Sequence, residues 1–181
     1  MAWSFFKKRA SGAHPGVAQP DVALWWRDAN ALALRPARPG VDDLRPRLVA
    51  IGPGADADDE RERQEEMLEA LELLCAIAET DAIPVLDTQH RVIGSDACHF
   101  MAPVSAPDHG DAIGKLFLTS HRVIFAGGAS IAWPWHRVRR VARHERDVVF
   151  EGGDTLALRL RCNSFADALA SAAIGERLRQ R

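Results

Sequence analysis

The stretch Leu156-Ala157-Leu158-Arg159-Leu160-Arg161-Cys162, followed by Asn163-Ser164-Phe165, decides how the chain is read. Along an extended backbone Leu156, Leu158 and Leu160 point one way and Ala157, Arg159 and Arg161 the other, so one face is buried and one is wet. Gly152-Gly153 supplies a hairpin turn from a preceding run that carries Val148 and Phe150. Asn163 or Ser164 then caps a helix, with Asp167 three residues after Ser164 as a weak form of the capping box. At about 100° per residue, Phe165, Ala168, Leu169, Ala172 and Ala173 share one side of this helix, and Ile174 and Leu178 fall nearly opposite. One side is expected to cover a sheet. The other, bearing Ile174 and Leu178, is expected to receive a helix from the N-terminal half.

Upstream, the same period-2 pattern recurs. Cys98, Phe100, Ala102 and Val104 alternate with His99, Met101, Pro103 and Ser105, and Pro103 places that strand at an edge or a bulge. Leu116 and Leu118 alternate with Phe117 and Thr119 up to a Ser120-His121 turn. Arg122 to Ala126 forms the next strand, Gly127-Gly128 turns it, and Ile131 and Trp133 form another that Pro134 ends. Ile83 to Leu86 and His90 to Ile93 read as two further short β-runs around a polar turn.

The N-terminal half reads differently. Residues 1–20, with Gly12, Pro15, Gly16 and Pro20, are expected to be a flexible leader, 21–80 a helical extension, and 81–181 the β-rich unit with its closing helix. Asp21 caps a helix in which Val22, Trp25, Trp26, Ala29, Leu32 and Ala33 recur at helical spacing before Pro36. Adjacent on that helix, Trp25 and Trp26 are packing residues of which one is more exposed. Pro36, Pro39, Pro46 and Pro53, with Gly52 and Gly54, mark irregular chain in which only Leu48 to Ile51 suits a strand. A long helix is expected from about Asp59 to Thr80, with Met67, Leu68, Leu71, Leu74, Cys75 and Ala78 buried and Glu65, Glu69 and Glu72 outward.

The string Gly114-Lys115-Leu116-Phe117-Leu118-Thr119-Ser120-His121-Arg122-Val123-Ile124-Phe125 resembles the G-x-L-x-L-T-x-x-R-x-I-F signature of GRAM and bacterial pleckstrin-homology-like domains. The likeness extends over about residues 97–181, through Ile131 to Trp135, Val138 to Val141 and the Ser164-Phe165 helix start. It implies an α+β fold: a bent, seven-stranded antiparallel PH/GRAM-like β-barrel capped by a C-terminal helix, here with an N-terminal helical extension. It also implies binding of lipid headgroups, peptides or proteins rather than catalysis. In phosphoinositide-binding relatives, basic residues flank the loop between the first two strands. Here that loop, 107–113, holds Asp108 and Asp111 with His109, which argues against that specificity.

A formal net charge of -2 gives no global pull toward nucleic acid or acidic lipid. Charge is segregated, however, with eleven acids and two arginines between Asp56 and Asp81, against twelve bases and six acids from Lys115 onward. Arg137, Arg139, Arg140, Arg143 and Arg146 are the candidate contacts for an anionic surface, although a solvated strand or turn, or a segment facing the acidic helix of the same chain, is the favoured reading, and no aromatics interleave for base stacking. Trp3, Phe5 and Phe6, followed by Lys7, Lys8 and Arg9, are candidate membrane contacts. Cys75, Cys98 and Cys162 form no CxxC pair and read as reduced, buried thiols. His90, Cys98, His99, Asp108 and His109 do not have the spacing of a metal site, and no G-x-S-x-G or P-loop is present. The expectation is a non-enzymatic, cytoplasmic binding or scaffold protein with no cofactor, no small-molecule substrate and no nucleic acid, acting on an unknown protein partner. The alternative is a peripheral adaptor on the inner face of a membrane, using residues 3–9 and the arginines.

Overall fold

The computed structural model describes residues 22–52, 57–80, 82–88, 90–128, 130–153 and 157–181. Among these residues three helices come first: α1 (Val22–Leu34), α2 (Arg38–Ile51) and α3 (Ala57–Thr80). Seven strands follow, β1 (Cys98–Ala106), β2 (Ala112–Thr119), β3 (Arg122–Ala126), β4 (Ser130–Pro134), β5 (Arg140–His144), β6 (Asp147–Glu151) and β7 (Ala157–Cys162), and α4 (Phe165–Arg179) closes the chain. The leader, the Asp21 cap and Leu156 lie outside the described residues.

α2 corrects the reading of 35–54 as irregular with a strand at its end. Pro39 stands in the first turn, where a missing N–H has no intrahelical partner to lose. Val41, Leu44 and Leu48 then recur at helical spacing, all buried. That stripe holds the helix together across Pro46, which removes one bond from its interior. α1 and α3 cover the stripe: Trp25 and Ala29 pack with Met67, Leu68, Leu71, Leu74 and Cys75 in one core. Along α3 the burial differs from expectation at its end, where Ala78 is exposed and Ile77 is buried in the other core, beneath the sheet. Two acids of α3 pair with α2, Glu72 with Arg45 and Glu79 with Arg38.

The strands form one antiparallel sheet in the order β4-β3-β2-β1-β7-β6-β5. The sheet is open. Among the described residues β4 and β5, at its two ends, pair with no further strand, so the closed barrel of the expectation is not seen. β1 is the central strand rather than an edge, and its irregularity lies between Cys98 and Phe100 rather than at Pro103. Its ladder to β7 has two pairs, Val104 with Cys162 and Ser105 with Arg161, and the exposed Pro103 sits just outside it.

The two short β-runs expected before β1 are not strands. Leu86 makes a single bridge to Cys98 and residues 91–95 are turns. This segment acts as a cover, with Ile93 buried against Cys98, Phe117 and Ile124 on the sheet's second face. Phe117 and Thr119 are therefore as buried as Leu116 and Leu118, and simple alternation fails in β2.

α4 stands between two cores, as its two apolar sides suggest, and Ala168 and Ala172 meet the sheet as expected, but the other assignments are exchanged. Ile174 and Leu178 enter the core beneath the sheet, with Ala168 and Ala170, whereas Leu169, Phe165 and Ala173 meet the helices. The helix lies close to the sheet at Gly175, where an added Cβ would stand 3.3 Å from the Phe150 ring. Its N-terminus is capped as the sequence predicts, the Ser164 hydroxyl accepting from the Asp167 N–H at 3.0 Å. Ser164→Ala is expected to cost about 1 kcal/mol in urea unfolding, with the fold retained.

Candidate functional site

The five candidate arginines do not form one surface. Arg137 ends a short 3-10 turn and Arg139 follows it, and both line a depression of about 480 Å³ with Trp133, His136 and Gly152. Arg140 begins β5, 3.8 Å from Glu151. At the far end of β5 and beyond it, Arg143 and Arg146 turn toward the helices, and Arg146 lies 3.8 Å from Glu66 of α3. Part of the basic run thus meets the acidic helix of its own chain, one of the two arrangements favoured from sequence. Trp3, Phe5, Phe6, Lys7, Lys8 and Arg9 lie outside the described residues.

Arg143 borders two clefts at once. The first, of about 710 Å³, runs along α4, floored by Leu169, Ala172 and Ala173 and walled by Leu34 of α1, Ala78 of α3 and Val141 of β5. Its character is apolar, and Leu34 stands 84% exposed on its rim. The second, of about 630 Å³, is polar and lies on the other side of Arg143, among Trp26, Asn30, Arg63, His144 and Phe165. Trp26 packs edge-on against both Trp25 and Phe165, and its indole N–H donates to Glu60.

Register explains why Arg143 points between the layers. Val141 lies opposite Phe150 and Arg143 opposite Val148, so Arg143 shares the face that these two buried residues present to the core. Its guanidinium is stacked over the Phe165 ring, 4.6 Å from the centroid, and donates to the Glu145 carbonyl at 3.2 Å and to the Asn30 side-chain oxygen at 3.4 Å. No ion pair involves it among the described residues. Burial holds its pKa below the usual arginine value, and no acid offsets that effect. Of the neighbouring acids, Asp147 is engaged by Arg161, Glu66 by Arg146 and by the Phe165 N–H, and Glu176 by Arg179, while Glu145 meets Arg143 through its backbone carbonyl.

A second polar cluster has a structural purpose. Asp96 accepts from the Arg122 guanidinium at 2.9 Å, receives the Thr119 hydroxyl at 3.1 Å and lies 3.1 Å from His121. The Thr119 oxygen in turn accepts from the Arg122 N–H. The T-x-x-R part of the resemblance therefore closes the β2–β3 turn and fastens the covering segment to the sheet. Gly114 has a similar explanation, since a Cβ there would meet the Ala126 carbonyl at 2.4 Å. Each of these motif residues is accounted for by packing.

One pair imitates a nucleophile and its base, and sequence reading missed it because 21 residues separate the two. Ser120 Oγ lies 3.4 Å from His99 Nε2, while His99 Nδ1 is 2.8 Å from the Pro84 carbonyl. The distance is long for catalysis and the hydroxyl donates to the Ala97 carbonyl at 3.2 Å, so the pair serves the same fastening. The cysteines offer no better nucleophile: all three are buried, and burial pushes the Cys162 thiol up to about 12. Among the metal candidates, His90 stacks on Phe117, Asp108 pairs with Arg159 and Cys98 donates to the Phe100 carbonyl. The described residues hold no group of three that could grip an ion. No described helix is long and apolar enough to cross a membrane.

No protein-family model and no curated protein matches the chain. Among solved structures it is similar to the crystal structure of the C-terminal domain of an unknown protein from Leishmania infantum, at 12% identity and a TM-score of 0.42, over 49% of this chain and 89% of that one. A likeness of that size assigns neither fold nor function.

Proposed function

We propose that the chain is a non-enzymatic binding module of the pleckstrin-homology/GRAM kind, acting through protein contacts. In this reading the open seven-stranded sheet is the counterpart of that family's barrel, and the helical extension adds a docking groove to it. The observation that carries the proposal is the apolar groove along α4, with Leu34 exposed on its rim. A concave apolar surface that α1, α3, α4 and β5 build jointly suits a partner's side chains. Catalysis has no comparable support, because the serine–histidine pair found among the described residues is tied to backbone carbonyls.

The peripheral-adaptor alternative needs a continuous basic face. Arg143 and Arg146 are turned to the helices, which leaves Arg137, Arg139 and Arg140 at the other end of β5. Flotation with phosphatidylserine-containing liposomes at low salt tests the choice. The expected result is protein remaining at the bottom of the gradient. Flotation that is lost when residues 1–9 are removed would instead establish the adaptor and overturn the protein-contact reading.

A further inference from the structure

We infer that the partner presents a peptide segment in which an apolar residue adjoins an aspartate or glutamate, the apolar side chain lying in the groove on α4 and the carboxylate pairing with Arg143. The inference rests on the protein-contact reading above and names the chemistry of the partner.

Three observations carry it. Arg143 occupies an inward-facing position on an edge strand, where a half-buried cation without a counter-ion is unfavourable. Its two hydrogen bonds go to neutral oxygens, at 3.2 and 3.4 Å, leaving donors of the guanidinium fork for a carboxylate. An anion arriving there need not displace an acid among the described residues, since Arg143 is ion-paired with none of them: Glu66, Asp147, Glu176 and Glu60 are held by Arg146, Arg161, Arg179 and Trp26, and Glu145 meets Arg143 through its backbone carbonyl.

The arrangement of the two clefts selects a peptide over a fatty acid. The apolar groove lies on one side of Arg143 and a polar cleft on the other, with Asn30, Arg63 and His144. A fatty acid ends at its carboxylate and would leave the polar cleft empty. A polypeptide carries its carboxylate on a side chain, so its backbone continues past Arg143 and uses both clefts.

The test pans a random 12-residue peptide library against the full chain and measures the selected peptides by fluorescence anisotropy. Selected sequences are expected to place Asp or Glu beside Leu, Ile or Phe. Changing that acid to its amide is expected to weaken binding by about ten-fold or more. Arg143→Gln, with its fold checked by circular dichroism, should weaken the acidic peptide similarly and leave the amide version unaffected. The amide comparison on the unaltered protein remains decisive even if Arg143→Gln does not fold. Peptides that bind in the groove, blocked by Ala173→Arg, but with no preference for an acid would overturn this inference and leave the protein-contact reading standing. Laurate binding with no peptide selected would overturn both.

Discussion

Leu158→Ala lowers the free energy of unfolding by about 2–5 kcal/mol, the range for truncating a leucine that cannot be replaced by collapse of its surroundings. The side chain is fully buried near the start of β7, opposite Phe150, in the core that also holds Ile174 and Leu178 of α4. Both the sheet and the helix above it lose contacts, so the site has few ways to close the cavity. Urea unfolding monitored by circular dichroism gives the number. A shift smaller than about 0.5 kcal/mol, the size of an ordinary surface substitution, would show that β7 is not where it is placed. Leu158→Met, which conserves volume, should cost less than about 1.5 kcal/mol.

The second large effect belongs to the helical half. Trp25→Ala is expected to cost about 3–5 kcal/mol, because the indole is fully buried between α2 and α3. The indole also donates to the Leu44 carbonyl at 3.1 Å, which truncation leaves without that donor. Trp25→Phe separates the two contributions: it retains most of the ring's burial and gives up the hydrogen bond, at a cost of roughly 1–3 kcal/mol. Denaturant midpoints for the two variants, measured with the parent slope, decide between them. If Trp25→Ala and Trp25→Phe lose the same small amount, the Trp25 core is not packed as described.

The parts of the fold that were legible in the sequence are those where local pattern and tertiary environment agree. β7 alternates against a single core, and α4 begins at a serine whose hydroxyl has the backbone N–H it was expected to have. α2 was illegible because Pro39, Gly40 and Pro46 are turn residues by composition, whereas their effect depends on position. One proline falls in the first turn, and the other is overruled by the buried stripe of Val41, Leu44 and Leu48. β2 misled in the opposite sense, since its second face is covered by residues around Ile93, which resemble a strand when read alone. The faces of α4 came out of helical periodicity, but which core each face enters is a long-range fact that periodicity does not contain. The candidate site follows the same rule. The run of arginines was plain, yet only the register of β5 against β6 singles out Arg143, and only the placement of α1 brings Asn30 to it.

The two-pair ladder between β1 and β7 has a mechanical meaning. It makes the sheet a pair of ribbons, β4-β3-β2-β1 and β7-β6-β5, stitched together at one corner. α4 touches β1 and β2 on one ribbon and β5, β6 and β7 on the other, so it is the splint that sets the angle between them. The same helix forms the floor of the apolar groove. Whatever occupies that groove therefore touches the splint and, through Val141 of β5, one of the two ribbons it joins.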